Sequence, residues 1–208
     1  MNTSELVGEV ARRTGLFTET AAKAVDAALR HVAVSLAEGR SPELPGIGRF
    51  EPAERAARTA RNIRTGESVD VPATVSVVFR PAAEVRARIH RLVVDGREVP
   101  EHAPSRPSPN TKAAKATADA VAEACGLDRA VASKALEVMA EAVVEELESG
   151  GQVRLGAFGT FRKELRAARK GNRSFVPGMP DPVEIPARVH VVFRPGSMVR
   201  GRVAAPAV

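Results

Sequence analysis

Apolar residues in the first forty positions recur at the three- and four-residue spacing of amphipathic helices. A first helix is predicted between a cap at Asn2 or Thr3 and a glycine stop at Gly15. A longer helix follows, with Thr18 as its predicted cap and Gly39 as its stop. Its apolar stripe, typical of a core or a partner helix, is Ala21, Val25, Leu29, Val32 and Leu36.

The pattern then changes to short extended segments. Residues 44–50 hold two glycines that suit a tight turn or a close backbone approach. Residues 51–70 are polar, arginine-rich and weakly patterned, whereas 71–79 are rich in β-branched residues and predict a strand. Pro81 is predicted to open a short helix, because proline is favoured at the first helical position.

The second half of the chain repeats this order. Asp128 is the predicted cap of a long amphipathic helix, and strands are predicted within 153–161 and 183–193 before a last short helix. The long helix carries acidic residues that are predicted to form a solvated face. They are Glu137, Glu141, Glu145, Glu146 and Glu148.

Individual residues show the same repeat. Gly15-Leu16 returns as Gly126-Leu127, and at the same offset Arg-Ala-Ala-Arg at 55–58 returns at 166–169. The offset grows by three residues before the Pro-Ala pair that follows in each half. A repeat of this length indicates a duplicated domain rather than a short solenoid unit.

The repeat predicts two domains, at 1–91 and 111–208, joined by a linker at 92–110 that is rich in proline, serine and charge. Residues 92–94 are alternatively an extension of the preceding helix. Domains of this size bury limited surface, so we expect the two copies to stabilise each other by packing together.

Composition narrows the function. The net charge of +6 and a pI near 10.2 favour a polyanionic partner. Seven phenylalanines without tryptophan or tyrosine argue against a single-strand binder that stacks bases. The lone Cys125 cannot form an internal disulfide and is interpreted as a small buried residue.

No catalytic or cofactor chemistry is indicated. The histidines lack metal-ligand spacing, and no phosphate-binding loop, nucleophile elbow or catalytic triad pattern is present. We therefore expect no cofactor, no metal and no enzymatic activity. The polar N-terminus and the lack of a long apolar run predict a cytoplasmic protein.

Several short motifs occur in the same order in both halves. In the first half they lie at 46–50, 55–62, 65–67, 71–73 and 79–81, and in the second at 156–161, 166–171, 185–187 and 193–196. With these motifs, each half resembles the HU/IHF family of bacterial histone-like DNA-binding proteins.

The resemblance implies an α+β fold in each half: a two-helix base, a three-stranded sheet with a long two-stranded arm, and a short C-terminal helix. Family members are intertwined dimers whose arms embrace double-stranded DNA through the minor groove. The chain is therefore expected to form a single-chain pseudo-dimer by intramolecular pairing, and pairing of halves between two chains stays open. A nucleoid-associated location in a bacterial cytoplasm is implied.

An arm that follows a minor groove needs regularly spaced cations that neutralise phosphates. The predicted DNA-binding residues of the first half are Arg55, Arg58, Arg61, Asn62, Ile63, Arg64, Arg80 and Arg86. Those of the second half are Arg162, Lys163, Arg166, Arg169, Lys170, Arg173, Pro177, Arg194 and Arg200. Ile63 stands where the family usually has a proline wedge, and Pro177 is the candidate wedge of the longer second tip.

Two functions follow as hypotheses. The first is an architectural protein that clamps, bends or compacts duplex DNA with little sequence preference. The second is a diverged interaction protein that binds a protein partner, such as another HU-like chain, and holds DNA weakly. Acidic residues in the first arm and the absent proline favour the second hypothesis slightly, whereas the retained arginines favour the first more.

Overall fold

The computed structural model describes residues 1–61, 64, 66–94, 97–100, 112–171 and 183–203. Within them, helices and antiparallel strands follow each other twice in the same order, so the predicted α+β class is confirmed. We refer to the first repeat as copy 1 and to the second as copy 2.

The helical base of copy 1 begins as the sequence predicts. Helix α1 spans Thr3–Thr14. Asn2 caps it, because its side chain accepts the Glu5 backbone N–H at 3.0 Å while the Glu5 carboxylate accepts the Asn2 backbone N–H. Gly15 ends it at φ 75°.

The second helix, α2, spans Thr18–Ala37. Its predicted apolar stripe is buried. The predicted cap is wrong by one residue: Thr18 is the first helical residue, and Phe17 occupies the cap position without a side-chain cap bond.

The rest of copy 1 consists of strands and one short helix. The strands are β1 (Glu43–Leu44), β2 (Gly48–Arg55), β3 (Arg58–Arg61), β4 (Ser68–Val71) and β5 (Thr74–Pro81), followed by α3 (Ala83–Ile89). Strands β1, β2 and β5 form a three-stranded sheet, and β3 pairs with β4 as an arm. Pro81 pairs with Gly48 at the end of β5, so the expectation that Pro81 opens the helix is wrong.

Copy 2 follows the same plan after two further strands, β6 (Arg91–Val94) and β7 (Arg97–Pro100). Its helices are α4 (Lys112–Cys125), α5 (Arg129–Glu148) and α6 (Ser197–Val203). Its strands are β8 (Gln152–Leu155), β9 (Gly159–Arg166), β10 (Arg169–Gly171), β11 (Val183–Ile185) and β12 (Ala187–Pro195). Asp128 caps α5 as predicted, because its side chain accepts the Ala130 N–H at 2.7 Å.

Strands β6 and β7 correct the linker prediction. They form an antiparallel hairpin, and β6 also pairs with β12, which extends the sheet of copy 2 to five strands in the order β7-β6-β12-β9-β8. The run Leu-Val-Val at 92–94 has high strand propensity, and the edge of β12 offers unpaired backbone groups to it. The segment still lies between the two copies, but its first part forms a β-hairpin and residues 92–94 do not extend α3, while 101–111 lie outside the described residues.

The two copies pack into one hydrophobic core. Helix α1 of copy 1 lies against α5 of copy 2, and reciprocally α4 lies against α2. The short helices follow the same rule, since α3 contacts α5 and α6 contacts α2. Contacts that recur with the copies exchanged indicate an approximate two-fold relation, as in an isologous dimer.

Aromatic rings fill the centre of this core. Phe50 of copy 1 lies 5.1 Å from Phe193 and 5.7 Å from Phe158 of copy 2, measured between ring centroids. Phe79 lies 5.3 Å from Phe161. Five of the seven phenylalanines thus contact one another across the copies. Because these rings pack in the core, they are not available on the strand surface for stacking with nucleic-acid bases.

Gly48 and Gly159 occupy equivalent positions at the starts of β2 and β9, both at φ 151°. A Cβ at either position would overlap the carbonyl oxygen of Arg80 or Arg194 on the paired strand. The glycines therefore allow the two central strands of each sheet to meet closely. None of the helices in the described ranges is long and apolar enough to cross a membrane.

Candidate nucleic-acid interface

Strand alternation gives each sheet one core face and one open face. Phe50 and Phe79 are paired across β2 and β5 and pack in the core. The residues that alternate with them along each strand therefore point to the other side of the sheet. We call that side the open face of copy 1: Arg49, Glu51, Ala53, Arg55, Thr74, Ser76, Val78 and Arg80. The open face of copy 2 is Thr160, Arg162, Glu164, Arg166, Arg188, His190, Val192 and Arg194. Strands β5 and β12 also contact each other, so the two sheets meet between the copies.

The open face of copy 1 is partly neutralised by its own residues. Arg80 donates from Nε to the Glu51 carboxylate at 2.6 Å. Arg49 lies 3.6 Å from the carboxylate of Glu43, which is buried at the edge of the sheet. An anion that approaches Arg80 must therefore compete with a carboxylate already in place.

The open face of copy 2 carries a cation where copy 1 carries that carboxylate. Counting along the repeat, Arg162 stands at the position of Glu51, and Arg194 at that of Arg80. Arg162 donates to Glu164 at 2.9 Å, and this bond is the main reason that the pKa of Glu164 is lowered. Arg166 and Arg188 are paired across β9 and β12 at the far end of the same face.

Each arm begins where a proline interrupts the ladder. Pro72 and Pro186 lie between the sheet strands and the arm strands, and proline has no N–H to donate there. Beyond them β3 pairs with β4 from Arg58 opposite Val71 to Arg61 opposite Ser68. In copy 2 the pairing of β10 with β11 starts at Arg169.

Most of the predicted cations are exposed on the arms or open faces. Those on the arms are Arg58, Arg61, Arg64, Arg169 and Lys170, and those at the ends of the open faces next to the arms are Arg55 and Arg166; all are exposed. Arg61 also donates to the Gly66 carbonyl at 3.0 Å, a bond that tightens the arm. Arg80 and Arg194 are exposed on the open faces, Arg162 is half-buried there, and Arg200 is exposed on α6.

Two predicted cations point elsewhere. Lys163 alternates onto the core face of β9, and its Nζ donates to the Glu148 carbonyl at the end of α5 at 3.0 Å. Arg86 is half-buried on α3, and its Nε is buried with no hydrogen-bond partner among the described residues. The predictions for Asn62, Ile63, Arg173 and Pro177 lie outside the described residues.

Sequence reasoning missed Arg49 and Arg188, which belong to the open faces. The signal was present, because both residues lie an even number of positions from a predicted cation on the same strand. No metal site accompanies these cations: within the described part of the chain, no group of three histidine, cysteine or carboxylate side chains is placed to hold a metal ion.

Two histidines lie where the hairpin of β6 and β7 meets the sheet of copy 2. His90 accepts the backbone N–H of Val191 at its Nε2, at 3.2 Å. The ring of His190 lies 6.3 Å from that of His90, and burial, followed by nearby Arg166, lowers the pKa of His190. The hairpin is thus fastened to β12 by a side chain as well as by backbone pairing.

The sequence of each copy matches a known family. The family model described as bacterial DNA-binding protein matches residues 1–90 and again residues 114–204. The chain belongs to this family. It contains two copies of a domain that the bacterial DNA-binding proteins below contain once, and the exact domain boundaries stay a prediction.

Similar bacterial DNA-binding proteins are about the length of one copy. DNA-binding protein HU-1 of Halalkalibacterium halodurans is 38% identical over 90 residues, which are 43% of this chain and 100% of the relative. DNA-binding protein HU of Geobacillus stearothermophilus is 41% identical over 86 residues, covering 41% and 96%. An Anabaena HU–DNA cocrystal structure matches with a TM-score of 0.38 and 34% identity, over 42% of this chain and 96% of that chain.

Proposed function

We propose that the chain is an architectural protein that clamps double-stranded DNA between its two arms through the minor groove and bends or compacts it. The observation that carries the proposal is the open face of copy 2, where Arg162, Arg166 and Arg194 share one side of the sheet at the base of an arm. Family membership supports duplex DNA as the polyanion. The expected location is the bacterial nucleoid.

We further propose that one chain supplies both halves of the clamp. The reciprocal helix contacts and the shared phenylalanine core support intramolecular pairing. A connecting segment turns dimerisation into an intramolecular step, at an effective concentration on the order of mM for a suitable linker. Exchange of halves between two chains would keep the same contacts, and mass measurement at low concentration separates these assemblies.

Cations on a β-ribbon act on DNA mainly by displacing counterions from phosphates. Sequence preference should therefore be weak, and binding should fall steeply with salt. Distorted duplexes should bind better than straight ones, since a minor-groove clamp gains contact from DNA that bends at low cost.

The test is binding to linear, nicked and pre-bent duplexes over a range of salt concentrations. The variant Arg166→Ala/Arg169→Ala should lose affinity for all three and reduce the slope of log affinity against log salt by about two, one for each lost phosphate contact. Arg12→Ala/Arg40→Ala is the matched control, because both arginines are exposed in the helical base and away from the open faces. Equal loss in the two double variants would contradict the proposal.

A second candidate, a role in binding another protein with weak DNA affinity, is favoured by one observation. Glu51 forms an ion pair with Arg80 on the open face of copy 1, and this reduces the positive charge available to DNA there. If the protein binds all three duplexes no more tightly than an unrelated basic protein of similar charge does, this candidate replaces the first.

A further inference from the structure

Four of the five acidic residues predicted on α5 contact cations of copy 1, whereas Glu137 is 65% exposed and pairs with Lys134 of the same helix. Arg13 of α1 donates to both carboxylate oxygens of Glu145, from Nη1 at 3.0 Å and from Nη2 at 2.5 Å. This two-point contact is the main reason that the pKa of Arg13 is raised, and it lowers the pKa of Glu145. Most of the predicted solvated face is therefore a contact between the copies, while Glu137 fits the prediction.

A second contact of this kind involves carboxylates about one turn before and one turn after Glu145 on the helix. Arg88 of α3 donates to Glu141 at 2.7 Å and to Glu148 at 2.5 Å. Arg88 has 27% of its side-chain area exposed, and the carboxylates have 42% and 35%. Half-buried groups of this kind are screened less than fully exposed ones, and one arginine that joins two carboxylates gives the contact directional selectivity.

The equivalent interface on the other side of the pseudo-dimer lacks these pairs. Counting along the repeat, Ala124 of α4 replaces Arg13, and Val34 of α2 replaces Glu145. Opposite Arg202 of α6, Arg30 and Ala37 of α2 replace the carboxylates Glu141 and Glu148. The charges are thus concentrated on one of two interfaces that are otherwise built from the same helices.

This one-sided arrangement changes what each copy can pair with. In a pair of two copies 1, Arg13 would face Val34 without a carboxylate, and Arg88 would face Arg30, a like charge. In a pair of two copies 2, Glu145 would face Ala124 without a cation, although Arg202 would face Glu141 and Glu148 as Arg88 does. Of the three pairs, the mixed one contains both contacts and opposes arginines at one interface, Arg202 to Arg30, whereas a pair of two copies 1 opposes Arg88 and Arg30 at both interfaces. Like charges placed opposite each other are a known means of excluding wrong partners.

We propose that the contacts of Arg13 and Arg88 with the α5 carboxylates determine which copies pair, and we call this set of contacts the pairing code. Under this code copy 1 pairs with copy 2, either of the same chain or of a second copy of this chain, and does not pair with another copy 1. The inference rests on the proposed pairing of the two copies and not on DNA binding. A test in the absence of DNA therefore separates its failure from failure of the DNA-binding proposal.

Two complementary full-length variants test the code. The acidic variant is Arg13→Glu/Arg88→Glu, and the basic variant is Glu141→Gln/Glu145→Arg/Glu148→Arg. Each variant alone opposes like charges within its own pair. When the two are mixed, exchange of halves places unlike charges at both contacts. The mixture, with one variant isotope-labelled, is refolded from urea and examined by native mass spectrometry.

The expected result is a one-to-one complex of the two variants, favoured on the order of tenfold over complexes of either variant with itself. A single chain that carries all five substitutions should return to the mass of the wild type and recover most of its thermal stability. Glu9 also contacts Arg13, so the small loss that persists in that chain measures the contact within copy 1. If the variants associate no more with each other than with themselves, the code is overturned.

A matched control excludes a general effect of charge. Lys23→Glu/Arg40→Glu changes the net charge as much as the acidic variant does, but its cations pair with Glu19 and Glu38 in the same copy. Mixed with the basic variant, this control should show no preference. If either test variant is unfolded alone, recovery of helical circular dichroism only in the mixture supports the proposal, and no recovery in the mixture or in the five-substitution chain contradicts it.

Discussion

The two copies share one core but carry different charges on their open faces. Phe50 and Phe161 occupy equivalent positions, are both fully buried and contact each other. One residue farther along each strand, Glu51 and Arg162 differ by two units of charge. In the same register of strand pairing, the buried residue is constrained by its neighbours in both copies, whereas the exposed residue is free to specialise.

The largest expected effect comes from the shared core, where the copies should behave alike. Phe50→Ala and Phe161→Ala should each destabilise the protein by about 3–5 kcal/mol, because each leaves a cavity at the contact between copies. Urea denaturation followed by circular dichroism measures both. Phe17→Ala is the control, since Phe17 is 86% exposed and should matter little. A large loss of stability from only one of the two substitutions would contradict the prediction that the two copies contribute equally to the core.

The open faces should differ in their contribution to DNA binding. Arg166→Ala/Arg194→Ala should reduce the salt slope of duplex binding by about two, and the equivalent Arg55→Ala/Arg80→Ala by about one, because Glu51 already occupies Arg80. Titration by fluorescence anisotropy at several salt concentrations gives both slopes.

Glu51→Arg sharpens the same comparison by giving copy 1 the charge of copy 2. It should strengthen duplex binding and raise the salt slope by about one to two, since it releases Arg80 and adds a cation. Glu38→Arg, on the helical base, is a control of the same charge change. Equal gains from the two substitutions would mean that net charge, and not the open face, governs affinity.

The bases of the arms should differ in local stability. Strand β6 pairs with residues 187–189 of copy 2, while among the described strands none pairs with that edge of β5 at the equivalent 73–75. Backbone amides at 187–189 should therefore exchange with solvent about two- to tenfold more slowly than those at 73–75, the range expected for a net hydrogen bond. Hydrogen exchange with peptide-level mass spectrometry measures this on the unmodified protein.

His90→Ala tests the side-chain contact that fastens this hairpin. Loss of the acceptor for the Val191 N–H should raise exchange at 187–191 and leave 73–77 unchanged. Uniformly faster exchange in both segments would indicate a general loss of stability and would contradict a local role for the hairpin.

The sequence predicts most of the fold because local signals and the repeat agree with the tertiary structure. The Asn2 cap, the Gly15 stop and the buried stripe of α2 are all confirmed. The hairpin of β6 and β7 was missed because its composition resembles a linker, and because the residues of β12 that pair with β6 lie 94 to 98 positions later. Non-local strand pairing leaves little local pattern.

The sequence predicts part of the candidate site in the same way, where the signal is local. The arm cations are recognisable by their spacing, but Lys163 and Arg188 are assigned correctly only when the pleat of β9 and β12 is known. The pairing of Arg13 with Glu145 joins residues more than a hundred positions apart. It depends on which helix faces meet, which the charge pattern of α5 alone does not specify.

The smallest expected effect concerns the pH dependence of pairing between the copies. Hydrogen bonds from Arg13 and Arg88 lower the pKa of Glu145 and Glu148 below the ordinary glutamate value of about 4.3. A lowered pKa in the folded protein means that these contacts stabilise it fully above about pH 4.3, and that the contribution is lost as pH falls through the folded values. Each contact is partly exposed, so the loss should be only about 0.2–1 kcal/mol.

Arg13→Ala/Arg88→Ala removes the cause of both shifts and should therefore lose less stability than the wild type between pH 7 and about pH 3. Urea midpoints at the two pH values give the difference. Glu9, whose pKa is lowered to about 2 by Arg12 first and Arg13 second, keeps Arg12 in this variant and limits the change within α1. An equal loss of stability in variant and wild type would show that the α5 carboxylates contribute nothing to pairing at neutral pH. The preference of copy 1 for copy 2 would then have to arise from packing alone.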